Sequence, residues 1–179
     1  MTKEINKSLK KDCSIPNVSS QDYRDAMSKF GAAVHLLTTD GKSGKRGVTI
    51  SACCSLSDEP PTILACVRRQ SEENQLFIDN GRFCVNTLSG HHQELSNIFA
   101  GRGKLSQKER FHKAEWTTLI TSAPVLSDAP LSLDCQLVSW HVHATHFVLI
   151  GEVVALQKHA SKNVLLYLER DYKTLPLND

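Results

Sequence analysis

The chain has 179 residues, 21 Lys plus Arg against 19 Asp plus Glu, with 40% hydrophobic and 22% charged residues. That length fits a single domain able to bury roughly two-thirds of its unfolded surface, and the near-balanced charge lacks the basic field of a nucleic-acid binder. None of the six cysteines forms a CxxC pair, which excludes a zinc ribbon or a thioredoxin-type motif.

Residues 1–18 are rich in Lys, Ser and Asn, contain Pro16 and show no periodicity, so they predict a disordered tail ahead of one domain at 19–179. With no apolar N-terminal region and no run of ~18 apolar residues, the expectation is a cytoplasmic chain with free thiols and no membrane span. A helix is expected from Ser20, capped by Ser19 or Ser20, with Tyr23, Ala26, Met27 and Phe30 on one apolar face and Gly31 as a left-handed cap.

Strand-like runs follow at 33–39 (AVHLLTT) and 46–52 (RGVTISA), joined by a DGKSGK turn. The next loop ends at Pro60-Pro61, before a buried strand at 62–67 (TILACV). Ser71 with Glu72 and Glu73 reads as a helix start, and Asn80-Gly81 as its stop. A strand at 83–88 and a helix at 90–100, with Leu95, Ile98 and Phe99 on one side, lead into a basic segment at 101–113 that reads as a mobile loop. Strands are expected at 115–121, at 131–138 with Leu131, Leu133, Cys135 and Leu137 facing one way, at 145–157 and at 163–168. About seven strands and three short helices, connected mostly as hairpins, favour an antiparallel barrel over a doubly wound parallel sheet.

Several motifs carry less than their composition suggests. GKSGKRG at 41–47 lacks GxGxxG spacing and sits between two strands, so it reads as a hairpin turn. No P-loop or GxSxG elbow is present. His141, His143 and His146 are close in sequence, but on a strand His146 faces away from the other two, and the simpler assignment is polar strand positions. The basic residues of 101–113 lack interleaved aromatics apart from Phe111, which favours a solvated loop or a lid for an anionic substrate. Adjacent Cys53 and Cys54 point to opposite sides of a strand and read as packing residues.

The segment from Arg46 to Val67, RGVTISACCSLSDEPPTILACV, is the most specific in the chain. Gly47, Thr49, Ser51, Ser55, Ser57, Pro60 and Pro61 fill a G-x-T-x-S-x-x-x-S-x-S-x-x-P-P pattern. In this it resembles the flavin-binding segment of the short-chain flavin reductases. The resemblance continues through RDAMSKFGAAVHLLTTDG at 24–41, GRFCVNTLSG at 81–90, ATHFVLIGEV at 144–153 and LERDYKTL at 168–175. It is closest to the reductase component of 4-hydroxyphenylacetate 3-monooxygenase and to the flavin reductase of pyrimidine degradation.

The resemblance implies a mainly β, α+β chain: an FMN-binding split β-barrel, antiparallel and of Greek-key type with a few short helices, paired as a homodimer. It implies NADH- or NADPH-dependent reduction of FMN or FAD, with reduced flavin passed to the oxygenase component of a two-component monooxygenase. A non-catalytic flavin-binding protein, for storage or sensing, is the alternative, and a metal or redox sensor built on the three histidines and the cysteines is a third.

The residue types suit flavin chemistry. Reduction places charge on the ring's N1–C2=O edge, which backbone N–H groups stabilise without a titrating side chain. Thr49, Ile50, Ser51, Ala52, Cys53 and Cys54 are slim enough to let the backbone approach a flat ring, and Ser55 and Ser57 offer hydroxyls to ribityl or phosphate oxygens. Arg68, Arg69 and the helix start at Ser71 suggest an anion seat. By resemblance, His146 belongs to a Thr-His pair beside the nicotinamide, and Arg170 and Tyr172 to an Arg-x-Tyr closing the site. One departure stands out: Ala144 occupies a position where family members often have Gly, so a positive φ there implies strain.

Overall fold

The computed structural model describes residues 17–177. The expected N-terminal tail lies almost wholly outside them; Asn17 and Val18 are exposed. Strands dominate. β1 (Ala32–Ala33), β2 (His35–Thr39), β3 (Arg46–Ile50), β4 (Cys53–Asp58), β5 (Pro61–Arg68), β6 (Arg82–Thr87), β7 (Trp116–Thr118), β8 (Pro124–Leu126), β9 (Leu131–His143), β10 (His146–Lys158), β11 (Asn163–Leu168) and β12 (Asp171–Pro176) alternate with four helices of eight residues or fewer. These are α1 (Ser20–Met27), α2 (Leu76–Asp79), α3 (Gln93–Phe99) and α4 (Gln107–Phe111).

Seven strands make one antiparallel sheet in the order β3-β2-β6-β9-β10-β5-β4. It curls until its two edge strands approach, but no ladder joins β3 to β4. The link Ser51-Ala52 carries the chain from one edge to the other, and the Cys66 amide donates to the Ala52 carbonyl at 2.9 Å. The barrel is therefore split rather than closed. Strands β1, β11 and β12 form a second, three-stranded sheet, and β7 pairs with β8.

At its central strands β2 and β6 the sheet is buried on both sides because both are covered. Along β2 successive side chains point oppositely: Leu37 enters the barrel interior with Phe77, Phe83, Val85, Cys135 and Leu149, while Leu36 joins the outer core with Val34, Phe99, Phe111 and Leu165. Gly151 makes room for Phe83, whose Cζ would lie 2.4 Å from an added Cβ. This double coverage explains why His35–Thr39 has no polar/apolar alternation.

Several boundaries differ from the sequence reading. The α1 helix is capped by Ser19, whose hydroxyl accepts the Asp22 amide at 3.0 Å, but it stops at Met27 with Ser28, not Gly31, as C-cap. Its apolar stripe is uncovered: Tyr23, Met27 and Phe30 are exposed. Residues 53–58, read as loop, form β4, because Pro61 can open a strand while β4 pairs back along β5. The basic segment is not wholly a loop. Ser106 and Glu109 make a reciprocal capping box for α4, which sends Phe111 into the outer core. Strands β8 and β12 were not anticipated: β8 has only three residues, all buried, and β12 is exposed and rich in polar residues.

Candidate active site

As sheet edges, β3 and β4 each have one ladder partner, so alternate backbone N–H and C=O groups of these strands point away from the sheet. A bulge between Ser55 and Ser57 bends β4 outward. Between β4 and the interior faces of β2, β6 and β9 lies an open cleft of about 370 Å³. Cys53, Cys54, Ser55 and Ser57 form one wall, and His35, Thr87, Leu131 and Leu133 the other. The result is a mostly apolar slot flanked by edge-strand backbone and the Ser55 hydroxyl, while the Ser57 hydroxyl is engaged with the Glu59 main chain at 3.2–3.3 Å.

The expected residues fall into three groups. Ser51, Ala52, Cys53, Cys54, Ser55 and Ser57 lie along the edge-to-edge link and β4; Ser51, Ala52, Cys54 and Ser55 are exposed, whereas the Ile50 side chain is buried in the barrel core. Ile50 can therefore offer a ligand only its backbone. Cys53 also packs against that core, and burial pushes its thiol up to about 12, so it is neutral filler and not a nucleophile.

The second group is at the end of β5 and the start of β10. His146 stands opposite Arg68 in the ladder and opposite His143 across the hairpin. Its Nδ1 lies 2.9 Å from Thr145 Oγ1, which sets the ring orientation. The Arg69 amide donates to the Thr145 carbonyl at 3.0 Å, locking the hairpin tip to β5. At that tip Ala144 has φ +48°, the left-handed conformation that the sequence departure implied.

The third group reaches the site through the outer layer. Thr49 Oγ1 donates to the Ser96 carbonyl at 2.7 Å, and Ser96 Oγ hydrogen-bonds the Tyr172 hydroxyl at 2.8 Å. The Tyr172 ring packs edge-on against Tyr167. Arg170, at φ +63°, pairs instead with Asp25 of α1 and holds that carboxyl below its usual range. Arg170 and Tyr172 thus point to different partners.

The Ser71 region differs from the expected anion seat. Where an α-helix start was expected there is a single 3₁₀ turn, Glu72–Gln75, before α2. Ser71 Oγ accepts from Arg46 Nη2 at 3.3 Å, Arg46 Nε donates to Asn74 Oδ1 at 2.9 Å, and Glu73 pairs with the same guanidinium. Ser71 and Arg46 are already partnered and two carboxylates flank the turn, while Arg68 nearby remains exposed.

His35, Thr87 and Ser96 had no signal in the sequence. His35 becomes part of the cleft because β2 sets it opposite Ile50 on one side and Thr87 on the other, with Nδ1 3.2 Å from Thr87 Oγ1. His141, His143 and His146 do not gather around a common point; the one group of three convergent metal-type ligands among the described residues is elsewhere.

A split antiparallel barrel with an open seam between its edge strands is the architecture of the flavin reductase class. Residues 27–176 match the family model described as the flavin reductase like domain, and the chain belongs to that family. It is 45% identical over 162 residues to "FMN reductase (NADH) RutF" of Pseudomonas syringae pv. syringae, covering 90% of each chain. Among solved structures it is similar to the flavin reductase HpaC complexed with NADP+, at 26% identity and TM-score 0.79 over 88% of this chain and 98% of that one. It is also similar to a nitrilotriacetate monooxygenase component B homologue from Mycobacterium thermoresistibile, at 25% identity and TM-score 0.79 over 87% and 86% of the two chains. No helix among the described residues is long and apolar enough to cross a membrane.

Proposed function

We propose that the chain is an NADH-dependent FMN reductase that releases reduced flavin to the oxygenase of a two-component monooxygenase. The observation that carries this is the seam itself: an apolar cleft bordered by Cys53–Ser57, whose edge-strand amides have no ladder partner on one side. The support from relatives is the NADH and FMN in the RutF description and the NADP+ bound to HpaC.

In this reading the backbone from Thr49 to Cys54 hydrogen-bonds the polar edge of the isoalloxazine. Fixed N–H dipoles favour the electron-rich reduced ring and cost no reorganisation during transfer. Ser55 and Ser57 hold ribityl or phosphate oxygens, with Arg68 as the nearby cation. Ser71 acts indirectly, by fixing Arg46. His146 orients the nicotinamide carboxamide, at the hairpin tip held by Arg69. Bound together, the two rings supply a direct hydride transfer, and the chain's part is to stack and orient them. Tyr172 braces Thr49 through Ser96, while Arg170 holds α1 against the C-terminal hairpin through Asp25.

The same reading includes a homodimer. The distal half of β9 runs past its pairing with β6, with Val138, Trp140 and Val142 exposed, and α1 leaves Tyr23, Met27 and Phe30 uncovered. A second copy is the occupant that buries them.

The test is steady-state loss of NADH absorbance with FMN and FAD, each crossed with NADH and NADPH. Flavin-dependent oxidation with preference for FMN and NADH is expected. Protein that binds flavin yet oxidises neither dinucleotide is a flavin carrier and overturns the reading.

A further inference from the structure

A second cleft, of about 420 Å³, opens between the start of α3 and the turn after β8, away from the flavin seam. His91, His92 and Asp128 line it, and the metal-ligand-type atoms of these three residues all lie within 4.8 Å of one another. His91 Nε2 is 3.0 Å from Asp128 Oδ2, and His92 Nε2 is 3.0 Å from Asp128 Oδ1. The two rings are tilted 42° to each other with centroids 3.8 Å apart. Behind them Ser89 Oγ lies 2.9 Å from His91 Nδ1 and 3.0 Å from His92 Nδ1.

We infer that His91, His92 and Asp128 form a binding site for a divalent first-row transition metal of the zinc class. Two imidazoles and one carboxylate are a borderline donor set, suited to Zn2+, Co2+ or Ni2+ and poorly suited to Mg2+ or Ca2+, which prefer oxygen cages. The N···O separations are close to the edge of a tetrahedron with bonds of about 2.0–2.1 Å, roughly 3.3 Å, so small side-chain movements accommodate an ion.

The second layer is also present. A ligating histidine needs an acceptor for its other N–H, and a hydroxyl carries two acceptor lone pairs. Ser89 Oγ can therefore take both Nδ1–H groups, which leaves both Nε2 lone pairs for the ion. The Ser89 amide donates to His92 Nδ1 at 3.2 Å, so metal binding also requires His92 to carry its proton on Nδ1 instead of Nε2 and to give up that cap contact. Glu94, Glu115 and Lys113 line the same cleft.

The ion would tie the turn before α3 to the segment entering β9. Its role is structural: α3 carries Ser96, the bridge between Thr49 and Tyr172.

Tag-free protein, stripped with chelator, is titrated with Co2+ and then Zn2+. One equivalent of Co2+ should give a visible d–d band displaced by Zn2+, and saturating Zn2+ should raise Tm by several degrees. His91→Ala, whose ring is exposed, and Asp128→Asn should weaken binding at least tenfold, while His143→Ala should not. Far-UV circular dichroism and flavin binding show that the variants fold. Absence of both the band and the Tm rise in the parent protein, or undiminished binding in His91→Ala and Asp128→Asn, overturns the assignment.

Discussion

Tyr172 and Ser96 meet hydroxyl to hydroxyl at 2.8 Å, and the same Ser96 accepts the Thr49 hydroxyl at its carbonyl. The chain Tyr172–Ser96–Thr49 connects the C-terminal hairpin to the edge strand β3, which borders the open seam. Tyr172→Phe keeps the ring contact with Tyr167 and removes only the hydroxyl. It should cost about 1 kcal/mol in urea unfolding and raise the FMN Kd severalfold by loosening β3. Fluorescence titration of FMN alongside the unfolding curve checks both effects.

Ala144 holds φ +48° at the β9–β10 tip, where a Cβ is unfavourable. Ala144→Gly should raise stability by about 1 kcal/mol, less whatever entropy the glycine adds to the unfolded chain. For a chain of this size that is about 2–4 °C in Tm. His146 is two residues away, so the NADH KM should change while FMN binding stays constant. A Tm lowered by the several degrees that the glycine's entropy alone would cost would refute strain at this tip.

Gly47 shows how a legible motif can carry a different cause. The pattern around it suggested close approach of backbone to a flavin. In the structure an added Cβ would lie 2.4 Å from Phe99 Cε1 and 3.1 Å from Phe111 Cζ, so the glycine exists for the outer core. Gly47→Ala should destabilise by about 1–3 kcal/mol through overpacking. Thermal unfolding measures it, and flavin affinity per folded molecule should stay near that of the parent.

The antiparallel, strand-rich architecture was readable because apolar runs of five to seven residues recur between Gly, Pro and Asp turns. The slim residues from Thr49 to Ser57 were readable as a unit because they are contiguous. What escaped was set by register. His35 and Thr87 enter the cleft only when β2 pairs with β6, and Ser96 gains its role only when α3 covers β3. β4 was hidden because Ser, Asp and paired prolines read as loop while the partner strand alone makes them a ladder. The apolar stripe of α1 was legible, but burial within its own chain did not follow from it.

His35 gives the fold a pH limit. Burial in β2 pulls its imidazole down from the ordinary 6.5 to about 4, so the folded state keeps it neutral. Between those values the unfolded chain binds the proton and the folded chain does not. Stability is therefore full above about pH 6.5 and is lost as pH falls toward 4, by about 3 kcal/mol across the window. Urea midpoints at pH 7 and pH 4.5 should differ accordingly, and His35→Gln should flatten the difference. An equal acid loss in that variant would assign the effect to other groups.

The proposed homodimer can be tested on the exposed arm of β9. Val138, Trp140 and Val142 are alternate residues on one face, and all three are exposed. The Trp140 ring also stands edge-on to Phe147 at 6.0 Å, so removing it perturbs the monomer as well. Val142→Glu places charge on the same face; Val142 pairs with Phe147 in the ladder, so far-UV circular dichroism and Tm of the variant check that its monomer still folds. Light scattering should give a dimer for the parent and a monomer for Val142→Glu. Because His143 and His146 share this arm, the monomer should lose NADH affinity before FMN affinity. A parent protein that stays monomeric at high concentration, with both affinities intact, would leave the arm free for a different partner and remove the subunit interface from the site.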